Sequence, residues 1–276
     1  REKWLPRVSE DIGGSLLPDE QKPSTELALV SLHEMYHAAR RAGAPFPALE
    51  DLPLTGRKLA ELFIFNDHFD RLSARALSRH YAREAQAMFA RLGSRAPLHG
   101  SQPMPPERRQ FAAHMCLYIR WLAALWWPYE KRTRQLGEEE DRLHAESLSS
   151  ITGVLGIPRG NSPQHERLQA IRQERAQLQA ELGWLKQVHE EATGMREKLR
   201  NPSLGWQAAG TREQADLWEV LLAEWFATEP RPVSEKIHRL FGHFVHDRLA
   251  ANLTQRSMMQ FVGQSYLDIR GFDLST

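Results

Sequence analysis

The chain has 276 residues, of which 41% are hydrophobic and 26% charged, and its formal net charge is +1. That length can bury a core in one large domain or two small ones, and the near-neutral balance supplies no global field that would select nucleic acid or an anionic membrane. A single cysteine, Cys116, excludes an internal disulfide; it lies in an apolar helical run, where a thiol packs as a small hydrophobe.

No apolar stretch follows Arg1-Glu2-Lys3, so the chain opens on no signal peptide. Trp4-Leu5-Pro6-Arg7-Val8-Ser9-Glu10-Asp11-Ile12-Gly13-Gly14 reads as a strand running into a tight glycine turn. Residues 24–43 read as a helix, capped by Ser24 or Thr25, with Leu27, Val30 (or Ser31), Glu34 and Ala38 in successive turns. Its expected apolar face carries Leu29, Leu32, Met35, Tyr36 and Ala39, and Gly43 ends it. Residues 44–53 form a proline-bearing loop. A second helix is predicted from Thr55 to about Asn66, and a third from Asp70 through Tyr81, Ala85 and Met88 to a stop at Gly93. Residues 94–106, rich in Gly and Pro, form a loop.

Residues 111–127, FAAHMCLYIRWLAALWW, are the most apolar stretch. At 17 residues it sits at the short edge of a membrane span. Arg120 at its centre would cost roughly 2.5–3.5 kcal/mol in a bilayer. A buried helix of a bundle is the expected reading, and it requires a carboxylate partner for Arg120. Trp121, Trp126, Trp127 and Tyr129 would also suit the headgroup level of a membrane, together with Trp218, Leu222 and Trp225.

Residues 129–150 and 164–200 are charged and helical around a Gly- and Pro-rich turn, residues 152–163. The second of them would be roughly 55 Å long if continuous. Leu168, Ile171, Leu178, Leu182 and Leu185 follow a 3,4 alternation, with Arg175 in one seam position and Gly194 weakening the pattern. The pair reads as an antiparallel helical hairpin with a narrow seam and polar outer faces. Residues 211–228 carry a wide stripe of Leu217, Trp218, Leu221, Leu222, Trp225 and Phe226. Another helix is predicted over 232–252, and residues 265–270 alternate as a short strand does.

His33-Glu34-Met35-Tyr36-His37 is an H-E-x-x-H. On a helix, positions i and i+4 share a face, so His33 and His37 could hold Zn²⁺ with Glu34 as general base. A third ligand is needed; Arg40 and Gly43 stand where the metzincin extension requires Gly and His, and Glu61, followed by Asp67, is the remaining candidate. His243 and His246 lie three apart, but no carboxylate or thiol completes a metal set there. No G-x-S-x-G, P-loop, G-x-G-x-x-G or C-x-x-C occurs. Glu138-Glu139-Glu140-Asp141 reads as a solvated helix face.

The run Trp4 to Gly14 resembles W-x-P-G-x-H-S-D-x-G-G-G-Y of the α/β-hydrolase phospholipases that include many type VI secretion effectors. The following helix resembles the one after that turn, through Leu27, Leu29-Val30, Leu32, Met35, Ala38-Ala39 and Ala42-Gly43. Phe244-Val245-His246-Asp247 resembles a late F-V-H-D-S, with Arg248 in place of the Ser. The resemblance implies a Ser-Asp-His triad on an α/β sheet acting on phospholipid esters, and a helical region that engages a membrane, a secretion-spike protein or an immunity protein. Ser9 occupies the position of the triad histidine, Arg7 that of a glycine, while Asp11, Gly13 and Gly14 match. A serine hydroxyl does not replace imidazole as a general base near neutral pH. Either the parent protein is a degenerate member or another histidine serves.

These readings together predict a mainly α fold: a helical bundle with a long antiparallel hairpin, plus N- and C-terminal strand segments left from a hydrolase-like body. The expected divisions are 1–23 (motif remnant), 24–128 (helical), 129–203 (hairpin) and 204–276 (helical, with a terminal strand). The expected function is the C-terminal helical portion of a phospholipase-like effector, a piece of a longer protein that is not catalytically competent alone. The alternatives are a zinc hydrolase on His33, Glu34 and His37, and a non-enzymatic interaction module. No cofactor and no nucleic acid are expected. Localisation would be cytoplasmic in the producing cell and, through the type VI system, the target periplasm, without a transmembrane helix.

Overall fold

Helices make up nearly all the regular structure, as the 3.6-residue periodicity predicts. The computed structural model describes residues 24, 26–52, 60–61, 63–66, 68–69, 71–153, 163–227 and 232–245. The expected N-terminal strand and glycine turn, half of the helix over 55–66, and the terminal strand over 265–270 lie outside these residues; of the described part of 55–66, residues 60–61 are helical and 63–66 are not.

Helix α1 (Leu27–Arg41) starts one turn after Ser24, whose Oγ accepts the backbone N–H of Glu26 at 3.3 Å. It ends as predicted at Gly43, whose φ of 92° is open to glycine without strain. There the N–H of Gly43 bonds to the carbonyl of Arg40, and that of Ala44 to the carbonyl of Ala39, both at 3.0 Å, the pattern of a Schellman motif. The buried face differs from the expected one. Leu27, Val30, Ser31 and His33 point inward, while Met35 is 63% exposed. Apolar residues occupy more than one side of this helix, so the pattern does not single out a face. A tether to the following segment decides the orientation: the side chain of Glu26 accepts the N–H of Asn66.

Helix α2 (Ala74–Gly93) begins four residues later than predicted. Strands β1 (His68–Phe69) and β2 (Leu72–Ser73) pair antiparallel before it, with Arg71 at a φ of 65° in the turn. Ser73 then caps α2 by accepting the N–H of Ala76 at 3.3 Å.

Helix α3 (Pro106–Gly153) is 48 residues long, about 72 Å at the usual rise. Its first helical position is proline, which loses nothing there because that N–H has no intrahelical partner. It runs straight through Pro128, where the sequence analysis divides the bundle from the hairpin. Trp126 and Tyr129, both buried, anchor the chain on either side of this proline. Helix α4 (Pro163–Leu182) returns antiparallel along its distal half, and Gly183-Trp184 separates α4 from α5 (Leu185–Arg200). The predicted long second arm is therefore two helices, interrupted at Gly183 and continuous through Gly194. A Cβ at Gly183 would sit 2.4 Å from the carbonyl oxygen of Gln179.

Helix α6 (Arg212–Trp225) opens with a reciprocal capping box. Thr211 accepts the N–H of Gln214, and the side chain of Gln214 accepts the N–H of Thr211. A short helix, α7 (Glu235–Arg239), capped by Ser234, runs into a π-turn at Leu240–Phe244.

One core joins α2, the first half of α3, α5, α6 and α7. Leu77, Ala85, Ala112, Ala113, Cys116, Leu122 and Leu217 are completely buried. Each large aliphatic side chain so buried stabilises the fold by about 1.5–3 kcal/mol. The π-turn wedges Phe241 against Tyr118 and Trp121, with ring centroids 5.4 Å apart in each case. At the other end Trp126 stacks on His189 of α5 at 4.8 Å, and the indole N–H of Trp225 donates to His189 Nδ1 at 3.2 Å. Residues 111–127 are thus core. No helix among the described residues is long and apolar enough to cross a membrane.

Candidate functional site

The residues that carry the hydrolase resemblance, Ser9, Asp11, Gly13 and Gly14, lie outside the described residues, as do His246 and Asp247. The described part of the late motif, Phe244 and Val245, is buried in the core.

His33 and His37 do share one side of α1, with ring centroids 6.3 Å apart. His33 is 7% exposed, and its Nε2 lies 2.7 Å from the carbonyl oxygen of Phe63. A carbonyl accepts, so Nε2 carries the hydrogen and Nδ1 the lone pair. Nδ1 is buried without a hydrogen-bond partner. The ring packs between Phe63 and Phe65, at 5.5 and 5.0 Å. Burial holds its pKa below the ordinary 6.5, and the nearby Arg75 and His37 add to that effect against the bond from Phe63. Glu61, the candidate third ligand, is exposed. No group of three or more His, Cys, Asp or Glu side chains among the described residues is placed to share a metal ion. The geometry of His33 is that of a packed histidine tying α1 to the segment after it.

Arg120 has the carboxylate its burial demands. Glu224 on α6, 4% exposed, accepts from Arg120 Nε at 3.0 Å and from the guanidinium of Arg91 at 2.5 Å. Arg91 comes from α2, so three helices meet on one carboxylate. The arrangement needs its anion, because removing Glu224 leaves the mostly buried Arg120 uncompensated, whereas Arg91 is half exposed. Cys116 lies close enough to feel the network. Burial, then the charge of Glu224, pushes its thiol up to about 12, so no reactive thiolate forms there near neutral pH.

A serine and a histidine 154 residues apart also meet, a pairing with no sequence signal: His80 Nε2 lies 2.8 Å from Ser234 Oγ. In a hydrolytic triad a carboxylate holds the other ring nitrogen. Here the guanidinium of Arg83 is 3.5 Å from Nδ1, and Glu84 approaches Nε2 itself at 3.7 Å. The lone pair then faces Arg83, and Ser234 accepts from the imidazole rather than donating to it. Ser234 also caps α7 by accepting the N–H of Ile237 at 3.4 Å. The pair is a clasp between α2 and α7.

The hairpin carries a different chemistry. Arg132 pairs with Glu174 at 2.6 Å and Arg167 with Glu139 at 2.8 Å, while Arg172 and Arg175 both pair with Glu140. The hydroxyl of Tyr129 donates to Gln179 Oε1 at 2.7 Å at its base. These pairings run in opposite senses along the two helices and fix the antiparallel register. Arg175, expected in the seam, instead reaches Glu140, and Leu136 and Ile171 fill the seam's interior. Neither belongs to the main core. Glu138, from the predicted solvated face, is exposed, whereas Glu139 and Glu140 are the hairpin's anionic anchors.

Compared with known protein families, with curated proteins and with solved structures, the chain matches none of them.

Proposed function

We propose that this chain is the helical portion of a phospholipase-like type VI secretion effector, and that it engages a partner rather than cutting an ester bond itself. The family part of the reading rests on the Trp4 to Gly14 motif and on the helix that follows it. The observation that carries the role is the hairpin. After Tyr129 α3 leaves the core, and among the described residues α4 packs chiefly on α3, touching the core only at its end through Leu178 and Leu182. Its outer faces are charged and, among the described residues, bear no large exposed hydrophobic residue. Such an arm suits a polar, specific docking surface for an immunity protein or a secretion-spike protein better than it suits a lipid surface. The aromatic residues that would have touched a membrane, Trp121, Trp126, Trp218 and Trp225, are spent on the core.

The test is a pull-down from the producing cell with the chain and with a variant in which residues 134–176 are replaced by a short Gly-Ser turn. The variant should keep the cooperative unfolding of the body and lose the immunity or spike protein. Unchanged capture by the folded variant would remove the hairpin from the role. Hydrolysis of phospholipid vesicles or short-chain esters by the chain, abolished by changing one of its own residues, would overturn the non-catalytic reading.

A further inference from the structure

At the N-terminal end of α3, a cleft opens between the end of α2, the loop over residues 94–105, the first turn of α3 and the first half of α6. Its volume, open mouth included, is about 590 Å3. Leu92, Met104 and Val220 give it an apolar wall.

Three guanidiniums, those of Arg95, Arg108 and Arg109, line the same cleft. None of them has an ion-pair partner among the described residues. This sets them apart from Arg91, Arg120, Arg132, Arg167, Arg172 and Arg175, each of which meets a carboxylate. Arg109 is held in place. Its guanidinium carbon sits 4.0 Å above the ring of Phe89, and its buried Nε has no hydrogen-bond partner. Gly93 makes that placement possible, since a Cβ there would come within 2.5 Å of the Arg109 side chain.

The carboxylates on the wall do not neutralise this charge. Asp216 is engaged with the loop: it accepts the N–H groups of Leu98 and His99 at 2.7 and 3.1 Å, and the hydroxyl of Ser101. Glu213 is then set against three cations. The loop is further held by Arg212, whose guanidinium donates to the carbonyl of His99 at 3.4 Å. The cleft is therefore built before any ligand arrives, with the Arg109 guanidinium fixed on its wall by Phe89.

We propose that this cleft binds a phosphate group, carried by a lipid headgroup or by a soluble phosphomonoester. A phosphate offers several acceptor oxygens and up to two negative charges to three guanidiniums, whereas a carboxylate is satisfied by one bidentate arginine. The apolar wall accepts the ester's first carbons.

The experiment is calorimetric titration of the whole chain with inorganic phosphate and with glycerol phosphate at low salt. It is paired with sedimentation on phosphatidylcholine vesicles with and without phosphatidic acid. Saturable phosphate binding, weakened roughly tenfold or more in a folded Arg108→Gln chain, is the expected result. Arg95→Gln, at an exposed position, serves if Arg108→Gln does not fold. Sedimentation only with phosphatidic acid, lost in the same variant, assigns the phosphate to a lipid. Binding of the soluble esters without sedimentation assigns it to a phosphomonoester. No saturable binding, or equal binding by the chain and both variants, overturns the proposal.

Discussion

The body and the hairpin are both helical, yet different forces hold them. In the body, helices close on each other through fully buried Leu, Ala and Trp side chains, and the charged centre, Glu224 with Arg120, is shut inside that packing while Arg91 reaches the same carboxylate from the surface. In the hairpin two helices meet over Leu136 and Ile171, and a ladder of exposed Arg–Glu pairs sets their register. The first kind of contact is insensitive to salt and intolerant of substitution. The second is screened by salt and forgiving of single losses. A molecule built this way keeps a rigid base and a pairing surface whose stability follows solution conditions.

The sharpest break in that comparison is at Glu224. Glu224→Ala leaves Arg120, mostly buried, without its anion, and should cost about 3–5 kcal/mol, read as a lowered urea midpoint. Replacing Glu224 and Arg120 together by Leu and Met should recover much of that loss, because the unpaired charge goes with its partner. A loss below about 1 kcal/mol for Glu224→Ala would mean that the triad is not the buried centre described here.

Arg120 also marks how far the sequence could be read. An arginine in the middle of seventeen mostly apolar residues demands a carboxylate, but nothing local says that the carboxylate is 104 residues away. Local devices were legible: the Gly43 stop, the stripe from Leu217 to Trp225, the loop over 94–106 and the antiparallel sense of the hairpin. Features decided by distant packing were not. His33 turns inward because a carbonyl 30 residues on binds it, which exposes Met35 against its hydropathy. The expected division between residues 128 and 129 falls inside one continuous helix, which the buried aromatics beside Pro128 carry through. The Ser234–His80 pair and the Arg95, Arg108, Arg109 cleft have no motif at all, because each gathers residues from separate elements.

At Gly183 the two regions join. Gly183→Ala places a methyl group against the Gln179 carbonyl, which is backbone and cannot swing away as a side chain could. The chain must shift there, at a cost of about 1–3 kcal/mol. Hydrogen exchange should quicken in α4 and at the start of α5 more than in α2. Equal quickening across the chain, or none in α4, would contradict the assigned junction.

Acid should separate the regions in time. Burial lowers the pKa of His33, His80 and His189 below the ordinary 6.5. Each then favours the fold in its neutral form. That contribution is complete above pH 6.5 and is lost as the pH falls below it toward the folded-state values, since the unfolded chain takes up the protons first. In the hairpin, hydrogen bonds from arginines hold Glu139, Glu140 and Glu174 below the ordinary carboxylate value of 4.5, so their contribution persists until the pH drops through that range. Exchange measured from pH 7 downward should therefore show the body loosening around His189 before the Arg132–Glu174 register gives way. The reverse order would place the pH-sensitive contacts in the wrong region.

The smallest effect belongs to a single hairpin pair. Arg132 and Glu174 are each about two-fifths exposed, so water and salt already screen their attraction. Arg132→Ala should leave the global unfolding midpoint where it was and raise exchange only in the part of α4 facing it. Raising salt toward 1 M contracts the screening length to about 3 Å and should reproduce that local loosening in the unaltered chain. The variant and the salt should not add, because both remove the same interaction. If high salt loosens the Arg132→Ala hairpin as much as the original, the remaining pairs at Glu139 and Glu140 carry the register. The ladder then works as a set of replaceable rungs, a property the body's single carboxylate does not have.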